Sequence, residues 1–353
     1  MKAGVESVVK MTTIGEAEGQ RPSEVARLET QLSSDVKISK VLFERKVNTF
    51  GSLAALPSNV EAIEAALMFS AGHNPFVALV GPSGWGKTHL LNAVSLRLTV
   101  EQQVTAERTT VSDYLANPMR PEVAGPLILD DAQDALTKNR LKQSLRISLE
   151  RRVKCGKPTI LAFTAPKPTR ALRALLPSAR DWTIATMGAA EPAERVLLLH
   201  QMSTAEGLLL SPRLSKVIAD QMHGNGRTLA GALKRLRLSG TNWLDPNATL
   251  RAFGLLDPFF ADNGSWDLKH KILKTAEQSR DLYPKISTLD LALYTMLHEA
   301  GLSEITVARS AGIEPADAYL RASSFKTYVQ DSDGLALVVR QFIESVLESL
   351  IKD

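Results

Sequence analysis

The chain has 353 residues, 44% of them hydrophobic and 23% charged, the proportions of an ordinary globular protein with room for two or three domains. It shows no signal peptide, targeting pattern or long uncharged apolar run, which argues against export and a membrane span and sets the expectation of a cytoplasmic protein. The single cysteine, Cys155, excludes an internal disulfide and a cysteine-rich zinc site. Net charge is only +4, but unevenly spread: Ser265 to Asp353 holds 10 Lys+Arg and 13 Asp+Glu, whereas Lys138 to Lys157 holds eight basic residues and one acid, Glu150.

Residues 1–45 are mixed polar and charged, with a candidate helix from Ser23 to Leu32, and read as an N-terminal extension. From Phe50 the pattern tightens. Pro57 and Ser58 suit the entry and N-cap of a helix carrying Ile63, Ala66, Leu67 and Phe69. The run Phe76 to Val80 is short, apolar and bounded by Pro and Gly, which predicts a buried parallel strand with a helix after it, starting near Gly86. Pro126 to Leu129, Thr159 to Phe163 and Trp182 to Thr186 predict three more strands. Their alternation with helical stretches predicts an α/β fold of three layers with a parallel sheet over 46–190. Beyond Pro192 helix signals dominate (Val196 to Gln201, Pro212 to Met222, Thr228 to Leu238), giving a helical lid over 191–245. A passage rich in Asn and Pro, Gly240 to Gly264, predicts a loop before a last all-α domain over 265–353.

The segment Gly81-Pro82-Ser83-Gly84-Trp85-Gly86-Lys87-Thr88 fits G-x-x-x-x-G-K-[ST] between a predicted strand and a predicted helix, the P-loop context. Glycines let backbone N–H groups turn around a phosphate, and the helix N-terminus adds a favourable dipole. Lys87 neutralises β and γ oxygens, and the Thr88 hydroxyl completes a Mg²⁺ shell. Leu127-Ile-Leu-Asp130-Asp131 ends a strand in two carboxylates. Asp130 is placed to hold Mg²⁺ through its water shell and Asp131 to orient or deprotonate an attacking water. Thr164, at the end of the next strand, is either a contact to the γ-phosphate or lytic water or a turn residue. An apolar stripe, Leu141, Leu145, Leu149 and Val153, puts one face of the basic run inward. Arg140, Lys142, Arg146, Arg151, Arg152 and Lys154 are then expected on or beside the exposed side, as a solvated face or a contact for nucleic acid. An aromatic share of 5% offers no base-stacking platform.

These residues resemble the bacterial replication initiators of the DnaA family, over roughly residues 48 to 240. The likeness is carried by Phe50 with Pro57-Ser58-Asn59, by Asn74-Pro75, and by the P-loop continuing as His89-Leu90-Leu91-Asn92-Ala93. It extends to Asp130-Asp131-Ala-Gln133 and to Asn225-Gly-Arg227-Thr-Leu229-Ala-Gly231-Ala-Leu233. The resemblance implies an AAA+ ATPase in which Arg227, from the lid, reaches the ATP phosphates and reports whether ATP or ADP is bound. It implies catalytic roles for Lys87, Asp130, Asp131, Thr164 and Arg227. Nucleotide contacts would come from Gly81 to Thr88, from His89 and from Arg227, and Mg²⁺ ligation from Thr88 and Asp130. The function it implies is a nucleotide-dependent switch in the initiation of chromosomal replication or its regulation. The alternative is a helicase loader or initiator-inactivating partner. The partners implied are DNA and an initiator or replicative helicase, with no membrane, and the oligomeric state stays open.

The departures from the family pattern bear on activity. Val100 to Gly125 leaves little room for the family's helical insertion, and the sensor I position has Thr164-Ala165 without its acid. Ser178-Ala179-Arg180 stands where a Ser-Arg-Phe box would carry the arginine finger, so Arg180 is either a displaced finger or no finger. Slow hydrolysis is expected, because such a finger contributes about 10³ to 10⁵ in rate. In the last domain, Leu302 to Ile313 reads as the first helix and turn of a helix-turn-helix with Pro315 opening the second. The family's Asp-His-Thr-Thr-Val recognition sequence is absent, and Glu314 and Asp317 stand where phosphates would be met. This domain is read as either a duplex-binding module or a helical protein-binding scaffold.

Overall fold

Six consecutive buried residues, Phe76–Gly81, form the middle of the nucleotide-binding half as strand β1. The computed structural model describes residues 48–116, 124–260 and 267–352. The candidate helix Ser23 to Leu32 and the extension 1–45 lie outside the described residues. Helix α1 (Val60–Ser70) precedes β1 and α2 (Lys87–Val100) follows it. Asn59, not Ser58, occupies the N-cap of α1. Buried there, its side chain accepts from Leu56 N and donates to the Ala54 carbonyl, fixing the segment that leads in.

Next come β2 (Glu107–Thr110), α3 (Val111–Ala116), β3 (Leu127–Asp130), α4 (Asn139–Lys154), β4 (Thr159–Thr164), α5 (Arg170–Leu175) and β5 (Thr183–Thr186). The five strands are parallel in the order β2-β3-β4-β1-β5. Alternating side chains go to opposite faces. Val77, Leu79, Ile128 and Ile160 pack with Phe69 of α1 and Leu91 of α2. Ala78, Val80, Leu129 and Phe163 pack with Leu145 and Leu149 of α4 and Leu172 of α5. The strands stop on one edge at Gly81, Asp130 and Thr164, and this edge gathers the candidate site, as expected at the carboxyl ends of an open parallel sheet.

Helices α6 (Pro192–Ala205), α7 (Pro212–Gln221) and α8 (Gly226–Ser239) follow, with a two-strand sheet of β6 (Leu209–Leu210) and β7 (Asn242–Trp243). The passage read as a loop, 240–264, instead holds α9 (Pro246–Phe260). Asp245 accepts from Asn247 N and Ala248 N, and Leu250, Phe253, Leu256 and Phe260 give the buried stripe. The last helices are α10 (Leu268–Gln278), α11 (Thr288–Tyr294) running into a π-helical turn at Thr295–Glu299, α12 (Glu304–Ala311), α13 (Pro315–Gln330) and α14 (Asp333–Lys352). One continuous core joins α6 to α14, from Leu199 through Phe253 and Leu293 to Leu350. Gly254 of α9 lies so close to the Ala300 carbonyl that a Cβ there would collide with it. Among the described residues no helix is long and apolar enough to cross a membrane.

The basic helix α4 corrects one expectation. Arg152 is 1% exposed. Its Nε donates to Thr159 Oγ1 at 2.7 Å and its Nη2 to the carbonyls of Gly125 at 2.7 Å and Pro158 at 2.9 Å. Standing three residues after Leu149 and seven after Leu145, it falls on the inward face. There the guanidinium ties together the segments entering β3 and β4. Arg140, Arg146, Arg151 and Lys154 are exposed.

Candidate nucleotide-binding site

The loop between β1 and α2 needs glycine at defined places. Gly84 and Gly86 have φ of +80° and +104°, which a side chain opposes. A Cβ at Gly81 would strike the Met187 carbonyl, and one at Gly84 the Asn225 side chain. Lys87 opens α2 and is buried. Its Nζ donates to the carbonyls of Gly81 and Pro82, each at 2.8 Å. Burial pushes the pKa of this ammonium below the ordinary lysine value; Asp130 and Asp131 pull it back, and Arg227 adds to the lowering.

At the tip of β3 the Asp130 carboxylate is buried and shared. The Thr88 hydroxyl donates to its Oδ2 at 2.8 Å and Asp131 N donates to its Oδ1 at 3.0 Å. Two hard oxygen donors from α2 and β3, beside a glycine loop, fit Mg²⁺ shared with phosphate. Asp131 has φ +55°, in the left-handed region. Gln133 holds its carboxylate in place, with Nε2 donating to Asp131 Oδ1 at 3.0 Å, while Gln133 Oε1 accepts from Thr164 N at 3.0 Å. The same Thr164 is paired with Gly81 across β4 and β1. One carboxamide therefore links the second acid, the β4 tip and the start of the P-loop. The sequence alone gives Gln133 no task, because that task depends on where β4 ends.

The lid meets the loop through the N-terminus of α8. Asn225 caps this helix, accepting from Arg227 N at 3.0 Å and Thr228 N at 3.3 Å. A Cβ on Gly226 would stand 2.9 Å from the Gly84 carbonyl oxygen. Arg227 is exposed, and its charge is felt at Lys87. The half-buried Trp85 of the loop lies under the Arg195 guanidinium of α6, 5.9 Å from the ring centre. Arg195 in turn donates to the Ala190 carbonyl at 2.9 Å and the Met222 carbonyl at 3.1 Å. His89 bonds Ser52 Oγ at 2.9 Å and the Thr49 carbonyl at 3.2 Å. Burial lowers its pKa, and the bond to Thr49 opposes the shift.

Of the residues singled out in sequence, Gly81 to His89, Asp130, Asp131, Thr164 and Arg227 thus come to the sheet's carboxyl edge. Arg180 does not join their hydrogen bonds. It is exposed in the turn Ala179–Asp181, after Ser178 at φ +47°. The second helix of the candidate helix-turn-helix, α13, opens with Pro315 at N1 after Gly312 ends α12 at φ +70°.

No protein-family model matches the chain. It is 28% identical over 210 residues to the chromosomal replication initiator protein DnaA of Dechloromonas aromatica, covering 53% of this chain and 44% of that protein. Domain III of the Thermotoga maritima replication initiation protein DnaA superposes with a TM-score of 0.52 at 21% identity, covering 61% of this chain and 98% of that one. A replication initiator DnaA bound to AMPPCP and single-stranded DNA superposes with a TM-score of 0.50 at 15% identity, covering 87% and 99%. At these identities the structural likeness is one of fold. The chain spans about half the length of the curated relatives it matches.

Proposed function

We propose that this chain, a divergent DnaA-like AAA+ protein, binds and slowly hydrolyses ATP and acts as a nucleotide-dependent switch in the initiation of chromosomal replication or its regulation. The observation that carries this reading is the seating of the α8 N-terminus on the P-loop, Asn225 and Gly226 against Gly84, with the Arg227 charge beside Lys87. A lid in contact with the loop that holds the phosphates is placed to change position with their number. The P-loop amides and Lys87 would hold the triphosphate, and Thr88 with Asp130 would hold Mg²⁺, which neutralises phosphate charge when bound. Asp131, oriented by Gln133, would take the proton of the attacking water. Exposed Arg140, Arg146 and Arg151 on α4 are the cations through which the chain would contact DNA.

A second reading, in which the last helices dock a protein such as an initiator or helicase, draws support from the outer face of α13. Tyr319, Leu320 and Tyr328 are 48%, 61% and 66% exposed there, and Asp317 stands in the first turn. That surface has the composition of a protein interface and is short of phosphate-binding cations.

The deciding experiment titrates labelled single-stranded and duplex DNA with ATP or ADP over a salt series. The wild type is compared with Arg140→Glu/Arg146→Glu and with Tyr319→Asp/Tyr328→Asp. The switch reading expects DNA affinity that differs between ATP and ADP and is lost with the α4 substitutions. DNA binding indifferent to nucleotide sinks it. No DNA binding, with nucleotide-dependent capture of a replication protein lost in the α13 variant, gives the second reading instead.

A further inference from the structure

Strand β2 carries a cation at the metal corner that no motif announces. In the register of β2 with β3, Arg108 lies opposite Ile128 and Thr110 opposite Asp130. Arg108 therefore sits two residue pairs before Asp130, on the face that α2 covers. A two-residue step along a strand is roughly 7 Å, which a side chain as long as Arg can span. It does so, its Nη2 lying 3.9 Å from Asp130 Oδ2, the same oxygen that receives the Thr88 hydroxyl. At 3.9 Å the pair is held by charge and is too long for a hydrogen bond. Its side chain is 37% exposed, and among the described residues Asp130 is the one carboxylate it reaches. A pair this long and this exposed does little to hold the edge strand in place. The guanidinium keeps donors in a planar fork that suits phosphate oxygens.

We propose that Arg108 and Mg²⁺ are alternative neutralisers of Asp130, so that this chain binds nucleotide with little need of Mg²⁺. The inference rests on the nucleotide-binding reading above and adds a residue to it. With Mg²⁺ scarce, Arg108 supplies positive charge beside the β- and γ-phosphates. With Mg²⁺ abundant, the same cation opposes the metal, and its removal relieves that opposition.

The test is calorimetric titration of the full chain with ADP and with ATP, in excess Mg²⁺ and in EDTA, for wild type, Arg108→Gln and Arg108→Lys. For the wild type, affinity in EDTA is expected within about threefold of affinity in Mg²⁺. Arg108→Gln is expected to lose about tenfold in EDTA while holding or gaining affinity in Mg²⁺. Arg108→Lys, with the charge but not the fork, is expected between them. Thermal melts of the three proteins establish that the edge strand is intact. Equal ratios of the two affinities in wild type and Arg108→Gln overturn the proposal, as does a wild type that needs Mg²⁺ for binding. In both cases the nucleotide reading stands. A folded wild type that binds neither nucleotide under either condition overturns the nucleotide reading and this inference together.

Discussion

Replacing Arg152 by Met removes a buried cation and leaves its stem. The Gly125 and Pro158 carbonyls each lose a charged donor, whereas the Thr159 hydroxyl keeps the Lys157 carbonyl at 3.1 Å. An acceptor left unsatisfied in the interior costs about 1–3 kcal/mol. The Pro158 carbonyl still accepts from Leu127 N at 3.0 Å, so one acceptor, that of Gly125, is left without a donor, and against its cost stand the relief of a desolvated charge and the apolar packing of the Met side chain. A net destabilisation of about 1–2 kcal/mol follows. At this chain size that is a fall in Tm of roughly 1–3 °C. Urea unfolding followed by circular dichroism reads it as a lower midpoint at unchanged slope, because the exposed surface changes little. Arg152 acts at the ends of β3 and β4 opposite the candidate site, so nucleotide affinity measured well below the transition is expected to hold. A variant that melts with the wild type would mean that water satisfies the Gly125 carbonyl and that the guanidinium does not clasp the sheet.

Lys87→Met is expected to lower nucleotide affinity by about 10- to 100-fold, the worth of a charge-assisted contact. Because the folded pKa of Lys87 is lowered by burial, its penalty is fully present at neutral pH and fades as pH rises from that lowered value toward 10.5. Without nucleotide the variant should therefore match or exceed the wild-type Tm at pH 7 and lose that advantage in alkali. A lower Tm at neutral pH would refute this. Gln133→Ala should slow single-turnover hydrolysis by about 10- to 100-fold while ADP affinity stays within about twofold. Equal losses in both would mean that Gln133 supports the loop and not Asp131. His89 has a lowered folded pKa through burial, so the stability it confers is present above pH 6.5 and lost as pH falls through the folded value. His89→Gln should flatten that acid limb in a series of melts, and an unchanged limb would assign it elsewhere.

The P-loop and the tip of β3 were legible because their chemistry is local: glycines at fixed spacing, a lysine, a hydroxyl, and carboxylates after an apolar run. Strand β2 was not. Glu107-Arg108-Thr109-Thr110 has no apolar signal, because an edge strand needs its backbone paired on one side only. Helix α9 was hidden by Pro246, Asn247 and Pro258, which read as loop although the first two suit a helix start and the third falls in the last turn. Charge is a poor proxy for exposure at Arg152, whose spacing from Leu145 and Leu149 already places it inward. Gln133 and Asn225 could be named but not employed, since one depends on the tip of β4 and the other on how the lid lands on Gly84.

The core that runs without a break from α6 to α14 has a mechanical consequence. With Gly254 backbone against the Ala300 carbonyl and Leu199 and Leu350 in one cluster, the lid and the last helices share one packed core. A tilt of the α8 N-terminus would have to be accommodated by side chains of the same core that packs α13, whose outer face displays Tyr319 and Tyr328.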